Sequence, residues 1–158
     1  MKRNVVFASL LALLFAGCVV PSKEIERAKV EGVPVLVSSL YLSSPNSVGG
    51  VDVNIDFMNT SDQTLKYVVF TVLPYNKVGD LAPSEIGRKA SARLRYTGPI
   101  RPGRQSDYNK YWKNVWYNHS IQCVEITEVE VTYMSGKTEN FSNEIGRASC
   151  RERVCHRV

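Results

Sequence analysis

The chain has few of the residues that metal sites and disulfide frameworks need. Of its 158 residues, only four are cysteine and two are histidine. Cys18 lies near the start, and Cys150 and Cys155 lie near the end. Only Cys123 lies in the middle, where we interpret it as a small buried apolar side chain, with a reactive thiol or an intermolecular disulfide as the alternative. The sequence therefore predicts neither a metal centre nor a network of disulfides.

Motifs for catalysis are equally scarce. His119 is the one histidine before the C-terminal tail, and no glycine-flanked serine accompanies it. Gly49 and Gly50 precede a predicted strand and not a helix, so they do not form a phosphate loop. Asp52, Asp56 and Asp80 are possible calcium ligands, but the first two are a full strand repeat apart and the third lies in another turn, which favours solvated carboxylates. We predict a protein with no enzymatic activity, cofactor or metal, and keep a hydrolase using His119 as a remote alternative.

Long apolar runs are absent except at the N-terminus. Lys2 and Arg3 precede an apolar run from Val5 to Phe15. At ~1.5 Å per residue this run would span roughly 17 Å, well short of the ~30 Å core of a bilayer. The pattern is therefore typical of a cleaved signal peptide.

The end of this run, Leu14-Phe15-Ala16-Gly17-Cys18, resembles the lipobox of bacterial lipoproteins. The resemblance implies that residues 1–17 are a lipoprotein signal peptide and that Cys18 becomes the acylated N-terminus. Several acyl chains at ~0.8 kcal/mol per methylene would anchor the protein stably. Val19 replaces the aspartate that would resemble an inner-membrane retention signal, so we expect the outer membrane, with the domain facing the periplasm. Residues 18–32 are predicted to be a tether with a short helix that starts at Ser22.

The other end of the chain does not match the rest. Residues 145–154 resemble a translated sequencing-adapter read, so we interpret residues 144–158 as an artefactual tail, with a genuine basic tail as the alternative. The net charge falls from +5 to +1 without residues 1–17 and 144–158, because these ends contain six of the 20 cations and two of the 15 anions. The basic composition is therefore no argument for a nucleic-acid partner.

Residues 33–143 carry the alternation typical of β-strands. Val51, Val53, Ile55 and Phe57 alternate with polar residues, and Leu65 to Tyr75 is apolar on both faces, which predicts a central strand. We interpret these two strands as neighbours joined by the turn at residues 59–62. Further strands are predicted from Val33, with a bend at Ser38-Ser39, and within residues 90–96, 105–117, 121–134 (with a slip near Thr127-Glu128) and 138–141. Residues 97–103 are predicted to form a rigid turn.

About seven short strands separated by turns indicate an all-β, antiparallel, immunoglobulin-like sandwich. The stretches at residues 57–61, 65–70, 74–80, 97–100 and 115–118 resemble uncharacterised bacterial lipoproteins with an FxLYD-like, immunoglobulin-like domain. The resembling motifs are structural, and they imply a fold but no catalytic residue.

Two features are candidates for binding. Lys89, Arg93 and Arg95 share the polar face of one predicted strand, and no acid occurs between Ile86 and Ser106. Such a basic band suits anionic lipid, lipopolysaccharide phosphates or an acidic protein, although edge strands also use Lys and Arg to repel other edges.

The second feature is an aromatic cluster that suits a glycan or a protein interface, or packs in the core. Its members are Tyr108, Tyr111, Trp112, Trp116 and Tyr117. We expect a lipid-anchored periplasmic binding or accessory module, in which Arg93, Arg95, Trp112 and Trp116 contact an envelope protein, a glycan or an anionic lipid. The alternative is a structural or assembly component of the envelope with no dedicated ligand site.

Overall fold

The computed structural model describes residues 22–107 and 111–142, so the predicted signal peptide, Cys18 and the C-terminal tail lie outside the described residues. One helix, α1 (Ser22–Val30), precedes seven strands. The strands are β1 (Val35–Leu42), β2 (Gly50–Asn59), β3 (Leu65–Asn76), β4 (Ala92–Ile100), β5 (Tyr111–Tyr117), β6 (Ile121–Tyr133) and β7 (Thr138–Ser142). Within the described part of the chain, no helix has the length and apolar character that crossing a membrane requires.

The strands form two antiparallel sheets that pack face to face. One sheet has the order β1-β2-β5, and the other has the order β4-β3-β6-β7. The predicted all-β, immunoglobulin-like sandwich of about seven strands is therefore confirmed. As predicted, β3 is a central strand, since β4 and β6 lie on either side of it.

The prediction that β2 and β3 are neighbours in one sheet is wrong. They are the middle strands of different sheets, and they face each other across the core, where the rings of Phe57 and Phe70 meet edge to face at 5.2 Å. The connection between them crosses from sheet to sheet because the Asn59 side chain bonds it to the end of β4, by donating to the carbonyl oxygens of Gln63 and Ile100.

The core follows the alternation in the sequence. Val51, Val53, Ile55 and Phe57 are at most 1% exposed, as is Phe70 on the facing strand. Burial of such side chains contributes roughly 1.5–3 kcal/mol each. The period-2 pattern of β2 therefore identified the inward side chains correctly.

The details of the strand ends and bulges differ in part from the predictions. The predicted bend in β1 is present as a register shift between Val37 and Ser39. The slip near Thr127 is also present, where Thr71 pairs with Glu128 and Val72 pairs with Ile126. The predicted turn at residues 97–103 is wrong in its first half, because Thr97 to Ile100 continue β4.

The short helix predicted to start at Ser22 is present as α1. The last turn of α1 is closed by hydrogen bonds from the Gly32 N–H to the Lys29 oxygen and from the Val33 N–H to the Ala28 oxygen, and Ala28 is only 5% exposed. Part of the predicted tether is thus a helix that packs on the domain.

Cys123 is buried, as predicted. Its sulfur is in a disulfide, however, so the interpretation of Cys123 as an unpaired apolar side chain is wrong.

Candidate functional site

The outer face of the four-stranded sheet carries the basic strand that the sequence predicts. Leu94 and Tyr96 of β4 are buried, while Arg93 and Arg95 alternate with them and are exposed. Across the sheet, Arg95 lies opposite Val69 of β3, and Val69 in turn lies opposite Glu130 of β6. Register thus brings both acidic and basic side chains to this face.

The Arg95 guanidinium lies over an aromatic ring. Its guanidinium carbon lies 3.7 Å from the centroid of the Tyr67 ring, and the Lys66 ammonium lies 5.3 Å from the same centroid. Such stacking orients the guanidinium plane and leaves its edge donors available. Among the described residues, no carboxylate lies within ion-pair distance of Arg95.

Arg93, unlike Arg95, forms an ion pair within the domain. Its Nη2 donates to Glu130 Oε2 at 3.0 Å, and the Arg93 side chain is 62% exposed. An exposed pair of this kind contributes at most about 1 kcal/mol. Arg93 is therefore partly neutralised within the domain, whereas Arg95 forms no ion pair among the described residues.

These side chains border a shallow depression of about 460 Å³. It is lined by Tyr67, Val69, Arg93, Arg95, Glu130 and Thr132. An aromatic wall, an oriented guanidinium and a hydroxyl together suit a planar or tetrahedral anion that accepts two hydrogen bonds from Arg95. We call this surface the Arg95 depression.

The structure brings only one of the two tryptophans to this region. Trp112 is partly buried, and its indole Nε1 donates to the backbone oxygen of Arg95 at 3.2 Å, which links β5 to β4 across the gap between the sheets. Trp116 is 1% exposed and belongs to the core, so it is corrected from a surface binding residue to a packing residue. Its indole nitrogen has no hydrogen-bond partner among the described residues.

The remaining cations of the basic band are spread along β4. Arg88 and Lys89 precede the strand, and Arg101 and Arg104 follow it, all of them exposed. The nine residues of β4, at ~3.4 Å each, place the two groups roughly 30 Å or more apart along the chain. The band is therefore a line with Arg93 and Arg95 at its centre, and not a compact patch.

Two aromatic residues that matter for the outer faces were not predicted from the sequence. The Tyr67 ring contacts Arg95. Its position beside Arg95 on the outer face follows only from the register between β3 and β4, which the sequence does not give. Tyr41 meets Tyr111 edge to face at 6.5 Å on the outer face of the other sheet, where both pair with Asn54 of β2. Tyr108 lies outside the described residues.

The candidate catalytic and metal-binding residues do not converge. His119 is exposed in the turn between β5 and β6. Asp52 Oδ1 accepts a hydrogen bond from the Asn114 backbone N–H at 2.7 Å, and Asp80 lies in the turn after β3. Burial raises the pKa of Asp56, and a hydrogen bond from Asn54 partly opposes this rise. In residues 22–107 and 111–142, no three His, Cys, Asp or Glu side chains are placed to hold a metal ion together.

The fold and this surface define a β-sandwich with a small cationic depression on one sheet. No family model matches the chain, and no curated protein matches it either. Among solved structures, it is similar to a hypothetical protein of Peptoclostridium difficile 630, with 11% sequence identity and a TM-score of 0.44 over 71% of this chain and 87% of that chain.

Proposed function

We propose that the protein is a lipid-anchored, periplasmic accessory module of the bacterial envelope that binds an acidic group at the Arg95 depression and catalyses no reaction. The observation that supports the binding site is the Arg95 guanidinium, which is stacked on Tyr67 and has no carboxylate partner among the described residues. The lipobox-like sequence that ends at Cys18 supports the anchor.

The chemistry of the depression favours phosphate or carboxylate groups. An oriented guanidinium donates two parallel hydrogen bonds to either group. Lys66 adds a second positive charge beside the same ring, at 5.3 Å from its centroid. Each cation near an anionic surface contributes about 1 kcal/mol. Anionic lipid, lipopolysaccharide phosphates and acidic segments of an envelope protein all present such groups.

A structural envelope component is the second candidate function, and one observation favours it. β4 is at the edge of its sheet, and outward Lys and Arg on an edge strand prevent pairing with other strands. The ion pair between Arg93 and Glu130 fits this role, since it satisfies Arg93 within the domain. In this case the domain would need only to be folded and anchored.

Charge reversal separates the two functions. Arg93→Glu/Arg95→Glu should reduce binding to vesicles of phosphatidylethanolamine and phosphatidylglycerol at least tenfold, with no change for pure phosphatidylethanolamine vesicles. An oligo-glutamate peptide, which presents carboxylates in place of the lipid phosphates, serves as the probe for carboxylate binding. Arg101→Glu/Arg104→Glu is the matched control, because it makes the same charge change at exposed positions away from the depression.

A second variant tests the geometry rather than the charge. Tyr67→Leu keeps every charge but removes the ring on which Arg95 rests, so binding should weaken while the melting temperature stays within a few degrees. If Arg93→Glu/Arg95→Glu and Arg101→Glu/Arg104→Glu weaken binding equally, binding depends on the overall charge and not on the Arg95 depression. If neither double variant weakens binding, Arg93 and Arg95 only protect the edge strand from pairing.

A further inference from the structure

The Arg95 depression has a cation on one side and a carboxylate on the other. Arg95 of β4 lies opposite Val69 of β3, and Val69 lies opposite Glu130 of β6. With ~4.8 Å between neighbouring strands, the backbones at Arg95 and Glu130 are roughly 10 Å apart. Both side chains line the depression together with Val69, which is 8% exposed and forms an apolar centre between them. A ligand that fills the depression would therefore contact both charged groups.

Glu130 is a disadvantage for a site that binds a simple anion. Two like charges repel each other, and the repulsion is stronger where protein replaces water around them. The Glu130 side chain is only 33% exposed, so water screens its charge incompletely. Inorganic phosphate or a plain carboxylate would accept hydrogen bonds from Arg95 but would also lie near this carboxylate. The ligand that fits best must therefore have a group that Glu130 attracts.

Glu130 has the capacity to accept further hydrogen bonds. Arg93 Nη2 donates to its Oε2 at 3.0 Å. A carboxylate has about four lone-pair sites, and this bond uses one of them. Since Arg93 already balances the charge of Glu130, a neutral donor fits here better than an ammonium group, which would lie next to the Arg93 guanidinium. Hydroxyl groups are neutral donors of this kind.

Thr132 provides a second acceptor on the same side of the depression. It lies two residues after Glu130 on β6, so both side chains point to the outer face of the sheet. The hydroxyls of Thr132 and Thr138 are 3.2 Å apart and share a hydrogen bond in which either one is the donor. In both arrangements the Thr132 oxygen keeps at least one lone pair. Glu130 and Thr132 are thus suited to accept hydrogen bonds from hydroxyls of one ligand.

The charges around the depression favour an anion on the β4 side alone. The lining residues carry two cations and one carboxylate, and one of these cations is already paired with that carboxylate. The Lys66 ammonium lies 5.3 Å from the centroid of the Tyr67 ring and adds positive charge on the Arg95 side. Two further acids of β6, Glu125 and Glu128, lie opposite residues of β3 that do not line the depression. A complementary ligand is therefore anionic at one end and neutral at the other.

We propose that the ligand of the Arg95 depression is a phosphate ester that carries hydroxyl groups, as a phosphorylated sugar or polyol does. The phosphate accepts hydrogen bonds from Arg95, the hydroxyls donate to Glu130 and Thr132, and the carbon atoms pack on Val69. A phosphate monoester carries nearly two negative charges at pH 7, which matches the cations Arg95 and Lys66. This proposal rests on the proposed function and narrows its ligand.

The size of the depression is consistent with such a ligand. Its volume of about 460 Å³ lies in the range of ~300–1,000 Å³ that is usual for small-molecule sites. A sugar phosphate in solution and the glycerol headgroup of phosphatidylglycerol both combine a phosphate ester with hydroxyls. The shared chemistry defines the site, and the experiment below distinguishes the two sources.

Matched pairs of probes test this proposal. Glycerol 1-phosphate and propyl phosphate have the same charge and differ only in the hydroxyls of glycerol. Calorimetric titration of the full chain in a neutral detergent should give a Kd about fivefold or more lower for glycerol 1-phosphate, because hydrogen bonds to a charged group are among the stronger ones. Phosphatidylethanolamine vesicles that contain phosphatidylglycerol or phosphatidylpropanol make the same comparison on a lipid headgroup. A preference in only one of the two pairs identifies the source.

Glu130→Ala distinguishes a ligand contact from a general effect of charge. It removes a negative charge and releases Arg93, so propyl phosphate should bind more tightly, while glycerol 1-phosphate should lose most of its advantage. Thr132→Val should weaken the binding of glycerol 1-phosphate alone. Glu128→Ala is the matched control, because it makes the same charge change on β6 at a carboxylate that accepts from the Thr71 hydroxyl at 3.5 Å outside the depression. It should leave the preference unchanged.

The possible failures separate this proposal from the proposed function. Equal affinity of the wild-type chain for both members of each pair overturns the hydroxyl contacts only. A preference that survives both Glu130→Ala and Thr132→Val, or that Glu128→Ala removes equally, also overturns the proposal, as does tighter binding of glycerate, which carries its hydroxyls on a carboxylate. If the oligo-glutamate peptide binds and no phosphate ester does, the proposed function remains and the phosphate is wrong. If no probe binds, the proposed function is overturned as well.

Discussion

Trp112 and Trp116 are four residues apart on β5, and side chains at this spacing point to the same face of a strand. Trp116 lies opposite Val51 and is fully buried, whereas Trp112 lies opposite Val53 near the start of β5, beside the edge strand β4. At that edge its indole N–H reaches the Arg95 carbonyl. The position along the strand, and not the residue type, therefore decides whether a tryptophan packs in the core or links the sheets.

Substitutions of Trp116 should distinguish the contribution of its ring volume to stability from the contribution of its indole N–H. Trp116→Ala should lower the free energy of unfolding by about 3–5 kcal/mol, because it opens a large cavity. Trp116→Phe should lower the free energy of unfolding much less. It keeps most of the ring, and it removes a buried N–H that has no partner among the described residues and therefore destabilises the folded state. Urea unfolding measures both, with Trp112→Phe as the control at the partly exposed position. Equal losses for the alanine and phenylalanine variants would show that the ring volume does not matter.

Asp56 gives the domain a stability that depends on pH. Burial raises the pKa of its carboxyl group above 3.8, so the folded state holds this proton more tightly than the unfolded state. Stability is therefore lost as the pH rises from the ordinary pKa through the raised one. Asp56→Asn should stabilise the domain at pH 7, and the gain should vanish below pH 3.8. Thermal unfolding across pH checks this, and exposed Asp62→Asn should show no such gain.

At the scale of elements, Asn59 joins three segments at the end of β2. Its Nδ2 donates to the Gln63 and Ile100 oxygens at 2.8 and 2.9 Å, and its Oδ1 accepts from the N–H of Ser61 at 3.0 Å. The side chain is fully buried. These bonds direct the chain from one sheet to the other, where the sequence indicated only a turn.

Removal of this side chain should be costly because it takes away the Asn59 donor from the Ile100 carbonyl in a buried contact. Asn59→Ala should lower the free energy of unfolding by about 3 kcal/mol. Asn59→Asp should cost more at neutral pH, because a carboxylate would face two carbonyl oxygens, and part of that loss should be recovered in acid. The matched control is Asn140→Ala on β7, which is exposed and should change stability by less than about 0.5 kcal/mol. Similar losses at both asparagines would contradict the role of Asn59.

The sequence predicted the strands better than their pairing. Alternation identifies the inward face of β2, since Val53 and Ile55 must leave water. It does not say whether the next strand continues the same sheet, because that choice depends on long-range bonds such as the one from Asn59 to Ile100. For the same reason, Arg95 was identified as a candidate from its charge, but Tyr67, its stacking partner on another strand, was not.

At the scale of the whole molecule, the proposed anchor would decide how far the domain lies from a membrane. The Arg95 depression is on the outer side of the four-stranded sheet, and α1 enters the domain at the end where β1 begins. The last turn of α1 packs on the domain at Ala28. An anchor at Cys18 would then be joined to the helix by residues 19–21 alone, which span at most about 14 Å when extended. The domain would then lie close to its membrane.

This arrangement depends on acylation of Cys18, which makes a direct prediction. Cells that express the chain should incorporate radioactive palmitate into it, and Cys18→Ser should abolish the label and release the protein from the membrane fraction into the periplasmic extract. Ser47→Ala is the control, because it changes an exposed turn residue and leaves both the lipobox-like sequence and the Cys123 disulfide unchanged. Since several acyl chains bind a bilayer far more strongly than the surface cations do, Arg93→Glu/Arg95→Glu should not release the protein. Unlabelled wild-type protein would overturn the proposed anchor.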